Sequence, residues 1–359
     1  MTVRNYAYGH VTYLNEPEGI EYVRGWDYPF HYQTDNQFLI NTHLFFGPPG
    51  VNLFHVWNGI VVNCSPWIVS FESYFPRYGA MTAGRRLYKW ALSRLKSDHC
   101  KAILPTCEVA KRFIESKPWY DDKISRKVRI LYYAVRRVEP IPVEKPPGEV
   151  RILFIGHEFF RKGGHLLTEA FEKISPGYPN LRLTVISRLD HSDYVTHASP
   201  ERAAEYRRRL ENHPRITYMP SVPNLTLLKE IFPSADIYAF PTLDDTFGLV
   251  VIEALSAGIP VIATAVRAIP EMISDGVEGR LIRVPTDSRG IITEDLPQVE
   301  EHIVRELVRV LPEIIENPEK RGVMAKNAVA KWESKFSAAQ RAKQLTELYS
   351  SIIKGEFGA

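Results

Sequence analysis

Apolar positions in this chain come in two rhythms, short unbroken runs and longer stretches in which apolar and polar residues alternate every three or four positions. Runs at 51–56, 60–63, 67–71 and 102–105 read as buried strands, and the stretches at 85–96 and 108–115 as helices. Beyond residue 148 the alternation is cleaner: a strand run at 151–155, a basic glycine-bearing loop at 156–164, and an amphipathic helix at 166–174. Further on, 236–240 is a strand run, 241–246 a polar break, 249–255 a segment apolar on nearly every face until Gly258 ends it, and 260–264 the next strand. Strand, turn, helix, glycine and strand within about thirty residues make a βαβ unit, whose strands must be parallel. The same alternation in both halves predicts α/β architecture. Four prolines within 139–148 interrupt any helix or central strand and mark the expected hinge, since 359 residues exceed one core. The last segment, 323–353, is strongly helical.

Two acids flank the helix start at 247–249, Asp245 before it and Glu253 within it. A helix apolar all round is buried, and a lone carboxylate in it is costly unless a partner answers it. The amides of Phe247, Gly248 and Leu249 at the helix start suit an anion, and Gly248 lets a ligand approach the backbone. A phosphate at the helix mouth with hydroxyls farther along satisfies both features. The plainer alternative makes Glu253 a core ion-pair partner and Asp245 a helix-start acid. The loop at 156–164 tells a similar story. A strand running through Gly156 and His157 into Arg161 and Lys162 ahead of a helix supplies charge and free amides for a diphosphate. It lacks the Gly-Lys-Ser/Thr ending of a P-loop, and its plainer alternative is a solvated basic turn.

The succession Ala235-Asp236, Pro241-Thr242, Phe247-Gly248-Leu249, Glu253-Ala254, Gly258-Ile-Pro-Val261, Ile269-Pro-Glu271, Asp275-Gly276 and Gly279 resembles the retaining family 4 glycosyltransferases of the GT-B fold, from about Arg151 to the C-terminus. The resemblance implies two Rossmann-like domains facing each other across a cleft, residues 1–146 plus 337–359 on the acceptor side and 147–336 on the donor side, with the final helix crossing back to the first domain. It implies a metal-independent, retaining transfer from a nucleotide-diphosphate sugar, with no cofactor, by front-face substitution. Lys162 and Arg161 would neutralise the leaving diphosphate, Asp245 would hold the donor sugar, and Glu253 the ribose hydroxyls; Gly156, His157, Phe247, Gly248 and Leu249 complete the donor site. Three residues depart from the family pattern: Asp245 replaces its first Glu, Thr246 the following Gly, and His157 occupies an Arg position. These departures motivate a catalytically silent nucleotide-sugar-binding scaffold as the alternative, beside a GT-B epimerase or phosphorylase. In the first half the likeness is loose. The opening at 6–13 lacks the family's glycine pair, His55 and Asn58 only approximate a strand end, and Glu72 sits where many members carry a His at the active-site mouth. Glu72 also ends an apolar strand, where open α/β sheets bind ligands, although helix-start acid and core histidine are the plainer readings of Glu72 and His55.

Composition narrows the class. With 45% hydrophobic and 24% charged residues the chain is globular, no apolar run reaches a membrane span, and the polar start is no secretory signal. Cys64, Cys100 and Cys107 lack metal-ligand spacing and cannot all pair, which points to a reducing, cytoplasmic setting. Asp244-Asp245 hints at a metal-binding pair, but the helix-start pattern already accounts for it, so no metal is expected. Net charge is only +3, yet 77–137 holds sixteen Lys and Arg against five Asp and Glu. Within it, 85–96 sets apolar residues and Trp90 among basic ones, as in a helix lying on anionic lipid at the inner face of a membrane; a core-facing helix with a solvated basic face fits equally. No recognition module accompanies the patch, so nucleic acid is not an expected partner. The basic patch and family habit suggest a glycan or lipid-linked acceptor and a role in cell-surface polysaccharide synthesis.

Overall fold

The computed structural model describes residues 2–6, 19–24, 26–27, 41–46, 50–63, 66–77, 86–190 and 193–357. They divide into two compact units, one of residues 1–134 and 338–359 and the other of 135–337.

The first unit is built on a parallel sheet of five strands in the order β2-β1-β6-β8-β9, with β1 (Thr2–Tyr6), β2 (Glu21–Arg24), β6 (Leu53–Trp57), β8 (Trp67–Phe71) and β9 (Cys100–Pro105). Two short pairs accompany it: β3 (Trp26–Asp27) runs antiparallel to β5 (Phe45–Phe46), and β4 (Thr42–His43) parallel to β7 (Ile60–Val61). The run expected at 60–63 therefore shrinks to a two-residue strand outside the main sheet. All five residues of β8 are buried, as a parallel strand covered on both faces requires. Helix α1 (Arg86–Lys96) turns Ala91, Leu92 and Leu95 inward, and Lys127 Nζ caps its last turn through Leu95 O (2.9 Å) and Ser97 O (2.6 Å). The expected helix start at Arg85 and the opening at 7–13 lie outside the described residues, as does Cys64. Cys100 and Cys107 are buried thiols outside any disulfide; Cys107 Sγ caps α2 (Glu108–Glu115) by accepting from Ala110 N at 3.4 Å. A short helix, α3 (Asp122–Ser125), follows.

The second unit begins at Val135, before the proline-rich stretch expected to be the hinge. That stretch is held within the unit: Ile141 N donates to Lys229 O at 2.8 Å, and Lys145 Nζ to Asp236 Oδ1 at 2.7 Å. Its sheet has six parallel strands in the order β12-β11-β10-β13-β14-β15: β10 (Val150–Ile155), β11 (Leu181–Ile186), β12 (Ile216–Met219), β13 (Ile237–Phe240), β14 (Val261–Thr264) and β15 (Gly279–Ile282). The connecting helices are α4 (Gly164–Ile174), α5 (Pro200–Asn212), α6 (a helical stretch over 224–234 with a π turn at Leu227–Ile231), α7 (Leu249–Ser256), α8 (Ile269–Met272) and α9 (Leu296–Ile315). From β10 the chain steps outward to β11 and β12, then returns to the other side of β10 for β13 and steps outward again. The reversal between β10 and β13 opens the crevice in which such sheets take ligands, beyond the carboxyl ends of their strands.

The C-terminal segment is α10 (Pro318–Lys331), a π turn at Trp332–Phe336 and α11 (Ala338–Lys354), the last belonging to the first unit. There Leu345, Tyr349 and Ile352 join Leu53, Ile68, Ala102, Leu104 and Leu131 in one core cluster.

Candidate functional site

Two loops meet at the strand reversal, one leaving β10 and one leaving β13. The first winds tightly, with Lys162 N bonded to Glu158 O (2.9 Å), Gly163 N to Phe160 O (2.9 Å) and Gly164 N to Phe159 O (2.8 Å), and so delivers Arg161 and Lys162 just ahead of α4. Gly163 is left-handed (φ 77°), and a Cβ there would lie 1.9 Å from Pro241 O in the other loop. Only glycine permits that approach. The loops are also stitched by Leu243 N donating to Arg161 O at 2.9 Å. Lys162 Nζ then reaches Asp245 Oδ2 at 2.5 Å, an ion pair with both side chains largely buried. Burial lowers the Lys162 pKa, and the Asp245 carboxylate opposes that fall. The other oxygen, Asp245 Oδ1, accepts from Phe247 N at 3.3 Å, so one of the three helix-start amides is already engaged.

Asp244 is the centre of a second cluster. Its Oδ1 takes Arg267 Nε at 2.5 Å, its Oδ2 accepts from the Tyr194 hydroxyl, and its backbone oxygen accepts from Arg161 Nη1 at 2.8 Å and lies 3.3 Å from Lys162 Nζ. Arg161 also pairs with Glu158 and stacks on the Tyr194 ring at 5.2 Å. Arg267 sits at φ 48°, uncommon for a residue with a side chain, with its amide on Gly290 O at 3.0 Å. Arg161, Lys162 and Arg267 thus face Glu158, Asp244 and Asp245, a locally balanced set of charges. Each Asp of the adjacent pair is answered by a cation of the chain, and among the described residues no group of three or more His, Cys, Asp and Glu gathers as a metal would require.

Helix α7 starts at Gly248, whose φ of 89° makes it the N-cap that only a glycine fits readily. Val251, Ile252, Ala254 and Leu255 are buried around Glu253. Glu253 keeps part of its surface open, yet the surrounding protein lifts its pKa to about 7 through desolvation, and among the described residues no donor meets its carboxyl. Its need for a partner, evident in the sequence, is unmet among the described residues.

Gly156, Arg161, Lys162, Asp245, Phe247, Gly248, Leu249 and Glu253 all belong to this one region of the second unit. A Cβ on Gly156 would come within 2.8 Å of Lys162 Cβ, so the glycine makes room for the lysine stem. His157 is exposed, and its backbone oxygen, which accepts from Asp190 N at 3.3 Å, ties this loop to the one after β11. Glu72 belongs to the first unit, half-buried after β8, with Arg77 Nη2 3.9 Å from its carboxylate. His55 is a buried core residue between Tyr349 Oη and Ser70 Oγ, each at 2.7 Å, and burial with nearby Arg341 drops its pKa to about 3. The plainer reading of His55 is therefore the correct one. Sequence reasoning missed Tyr194 and Arg267 and set Asp244 aside. Nothing local marks Tyr194 or Arg267, since both enter the site only because the loops after β11 and β14 fold over it.

Residues 149–294 match a family model described as Glycosyl transferases group 1. A D-inositol 3-phosphate glycosyltransferase of Segniliparus rotundus is 32% identical over 136 residues, 38% of this chain and 29% of that protein. The match thus spans under a third of that relative's length. Among solved structures, a glycosyltransferase from Rickettsia africae is similar with a TM-score of 0.61 at 16% identity, over 98% of this chain and 90% of that one. The Anabaena HepE protein, solved in complex with UDP-glucose, is similar with a TM-score of 0.55 at 14% identity, over 84% and 79%.

Proposed function

We propose that this chain, whose residues 149–294 form a glycosyl transferases group 1 domain on a GT-B α/β fold, moves a sugar from a nucleotide-diphosphate donor to a glycan or lipid-linked acceptor, with retention and without a metal ion. The observation that carries this reading is the Lys162–Asp245 pair at the strand reversal, a cation and a carboxylate at the start of α7 beside an unpartnered Glu253. A donor diphosphate takes the place of Asp245 beside Lys162, which turns the freed carboxylate toward the donor sugar's hydroxyls. Glu253, without a donor among the described residues, takes the ribose hydroxyls as its partners. In the transfer, the bond from anomeric carbon to diphosphate oxygen breaks, the acceptor oxygen forms its bond on the same face, and the acceptor's proton passes to the departing phosphate. Lys162 and Arg161 stabilise the charge that grows on that phosphate. Arg161 supplies the guanidinium that the family pattern places at the position of His157.

The likeness to a protein solved with UDP-glucose makes that compound the first donor to try. The acceptor side is assigned to the first unit, with Glu72 at its ligand-facing strand end, and cell-surface polysaccharide or lipid-linked glycan as the acceptor class. Among the described residues no helix is long and apolar enough to cross a membrane. Helix α1 commits its apolar face to the core, so contact with an anionic bilayer at the inner membrane face would rest on exposed Trp90 with Arg86 and Lys89.

The reading is tested by thermal shift with UDP, GDP, dTDP and ADP and their sugar conjugates in metal-free buffer, where a ligand at 100 times its dissociation constant adds about 2.7 kcal/mol. A selective shift that Glu253→Ala abolishes, followed by transfer with a retained anomeric configuration, supports it. A shift without turnover for any acceptor would make the protein a nucleotide-sugar-binding scaffold, and no shift at all would refute the donor site.

A further inference from the structure

The loop after β11 holds a feature that the transfer chemistry leaves unused. Tyr194 is 64% exposed, so its ring contributes little to the core, yet it is held firmly. Its hydroxyl donates to the buried Asp244 carboxylate, and the Arg161 guanidinium covers one face at 5.2 Å from the ring centroid. The backbone beside it is fixed by buried Asp193, whose carboxylate accepts from Val195 N at 2.8 Å, Thr196 N at 2.7 Å and Thr196 Oγ1 at 2.5 Å. Buried Leu189 and Ala198 anchor the loop on either side. An aromatic ring pinned at its polar end, covered on one face and open on the other is a preorganised stacking surface.

Its place in the strand order says which part of a donor would meet it. This step rests on the donor-site reading above. The glycosyl group belongs with Asp245 in the loop after β13, and the diphosphate with Lys162 and Arg161 in the loop after β10. With the ribose on Glu253 of α7, the part of the donor left over is the base, and the loop after β11, next across the sheet from β10, brings Tyr194 to Arg161 and Asp244. We infer that Tyr194 is the nucleobase platform of this site, its open face stacking on the donor's base while Asp244 and Arg161 hold the ring at the required tilt. Stacking on a flat π face is tolerant of base identity, so the residue contributes affinity for any nucleoside diphosphate and leaves the choice of base to other groups.

Isothermal titration of the full chain with UDP, GDP, ADP, dTDP and inorganic pyrophosphate, comparing wild type with Tyr194→Ala and Tyr194→Phe, decides the matter. Loss of base stacking predicts that Tyr194→Ala weakens the best-bound nucleoside diphosphate by about tenfold or more and leaves pyrophosphate unchanged, whereas Tyr194→Phe, which keeps the ring, stays within about threefold of wild type. Equal losses in both variants that extend to pyrophosphate would mean that the hydroxyl merely positions Arg161 and Asp244, and would overturn the inference. So would wild-type affinity of Tyr194→Ala for every nucleoside diphosphate. A wild-type chain that binds none of the four nucleoside diphosphates would sink the donor site itself, and the platform with it, a result distinct from binding that ignores Tyr194.

Discussion

Lys162 and Asp245 neutralise each other at 2.5 Å, and the proposed transfer has them part. Removing the cation and removing the anion therefore have different consequences. Lys162→Ala deletes the charge that the proposed transfer sets against the leaving phosphate and should lower kcat by roughly 10²–10³-fold, the range for a preorganised electrostatic contact. Donor binding should fall less, since Arg161 remains. Asp245→Glu restores the longer acid of the family pattern; if the shorter side chain is fitted to this donor, turnover drops, and a large rise in steady-state rate would instead mark the native site as impaired. Glu253 adds a pH signature. A carboxyl whose folded pKa is lifted from 4.5 to about 7 costs stability as pH rises through that window, because the unfolded chain ionises first. Glu253→Gln should then stabilise the protein at pH 8 and do little at pH 4.5, as read from denaturant midpoints. Hydroxyls donated by a ribose favour the ionised form, so donor binding near pH 6.5 should release protons, seen as a buffer-dependent binding enthalpy.

Among the elements, the loops carry the site and the glycines in them set its tolerance. Gly163→Ala would push a methyl against Pro241 O in a left-handed conformation, and should cost more than about 2 kcal/mol and loosen the Lys162–Asp245 contact. Gly322 is the contrast: it lies exposed within α10 with nothing near its missing Cβ, so Gly322→Ala should stabilise by about 0.5–1 kcal/mol. Paired melting curves of the two variants check both signs. The same elements explain how far the sequence is legible. The strand, loop and helix modules around 151–174 and 236–264 announce themselves because each apolar run is local and each glycine marks a turn, so Lys162, Asp245, Gly248 and Glu253 stand out in the sequence itself. Arg267 and Tyr194 do not, since an arginine at positive φ is indistinguishable in sequence from any surface arginine, and a lone tyrosine in a polar loop gains meaning only from Asp244 across the strand order. In α1, apolar and basic residues allow two readings that only burial of Ala91, Leu92 and Leu95 separates. The expected hinge at 139–148 misleads for a related reason: prolines exclude helix, but an extended segment can still dock through Ile141 N and Lys145 Nζ.

For the whole molecule, the two units should respond to acid in opposite senses. In the first, neutral His55 is sealed between Tyr349 and Ser70 with a pKa near 3, far below its ordinary 6.5. A depressed histidine contributes stability that is present above 6.5 and is lost as pH falls toward 3, because the unfolded chain takes up the proton first. That loss bears on the joint between the first-half strands and α11, since Tyr349 is the helix residue that His55 holds and Arg341 of the same helix is tied to Leu131 O and Tyr132 O. In the second unit Glu253 works the other way, gaining stability as pH falls from about 7 to 4.5, while His213, lowered by partial burial, offsets some of that gain. The depressed carboxylates, Asp275, Asp287 and Glu306 in the second unit and Asp121 in the first, begin to lose their contribution only below their ordinary values of 3.8 to 4.5. Between pH 7.5 and 5, hydrogen exchange should therefore show protection falling in residues 1–134 and 338–357 and holding or rising in 135–337. His55→Gln should flatten the first response and Glu253→Gln the second, each without altering the other unit. Parallel losses in both units, untouched by either variant, would show that some broader charge effect governs acid stability.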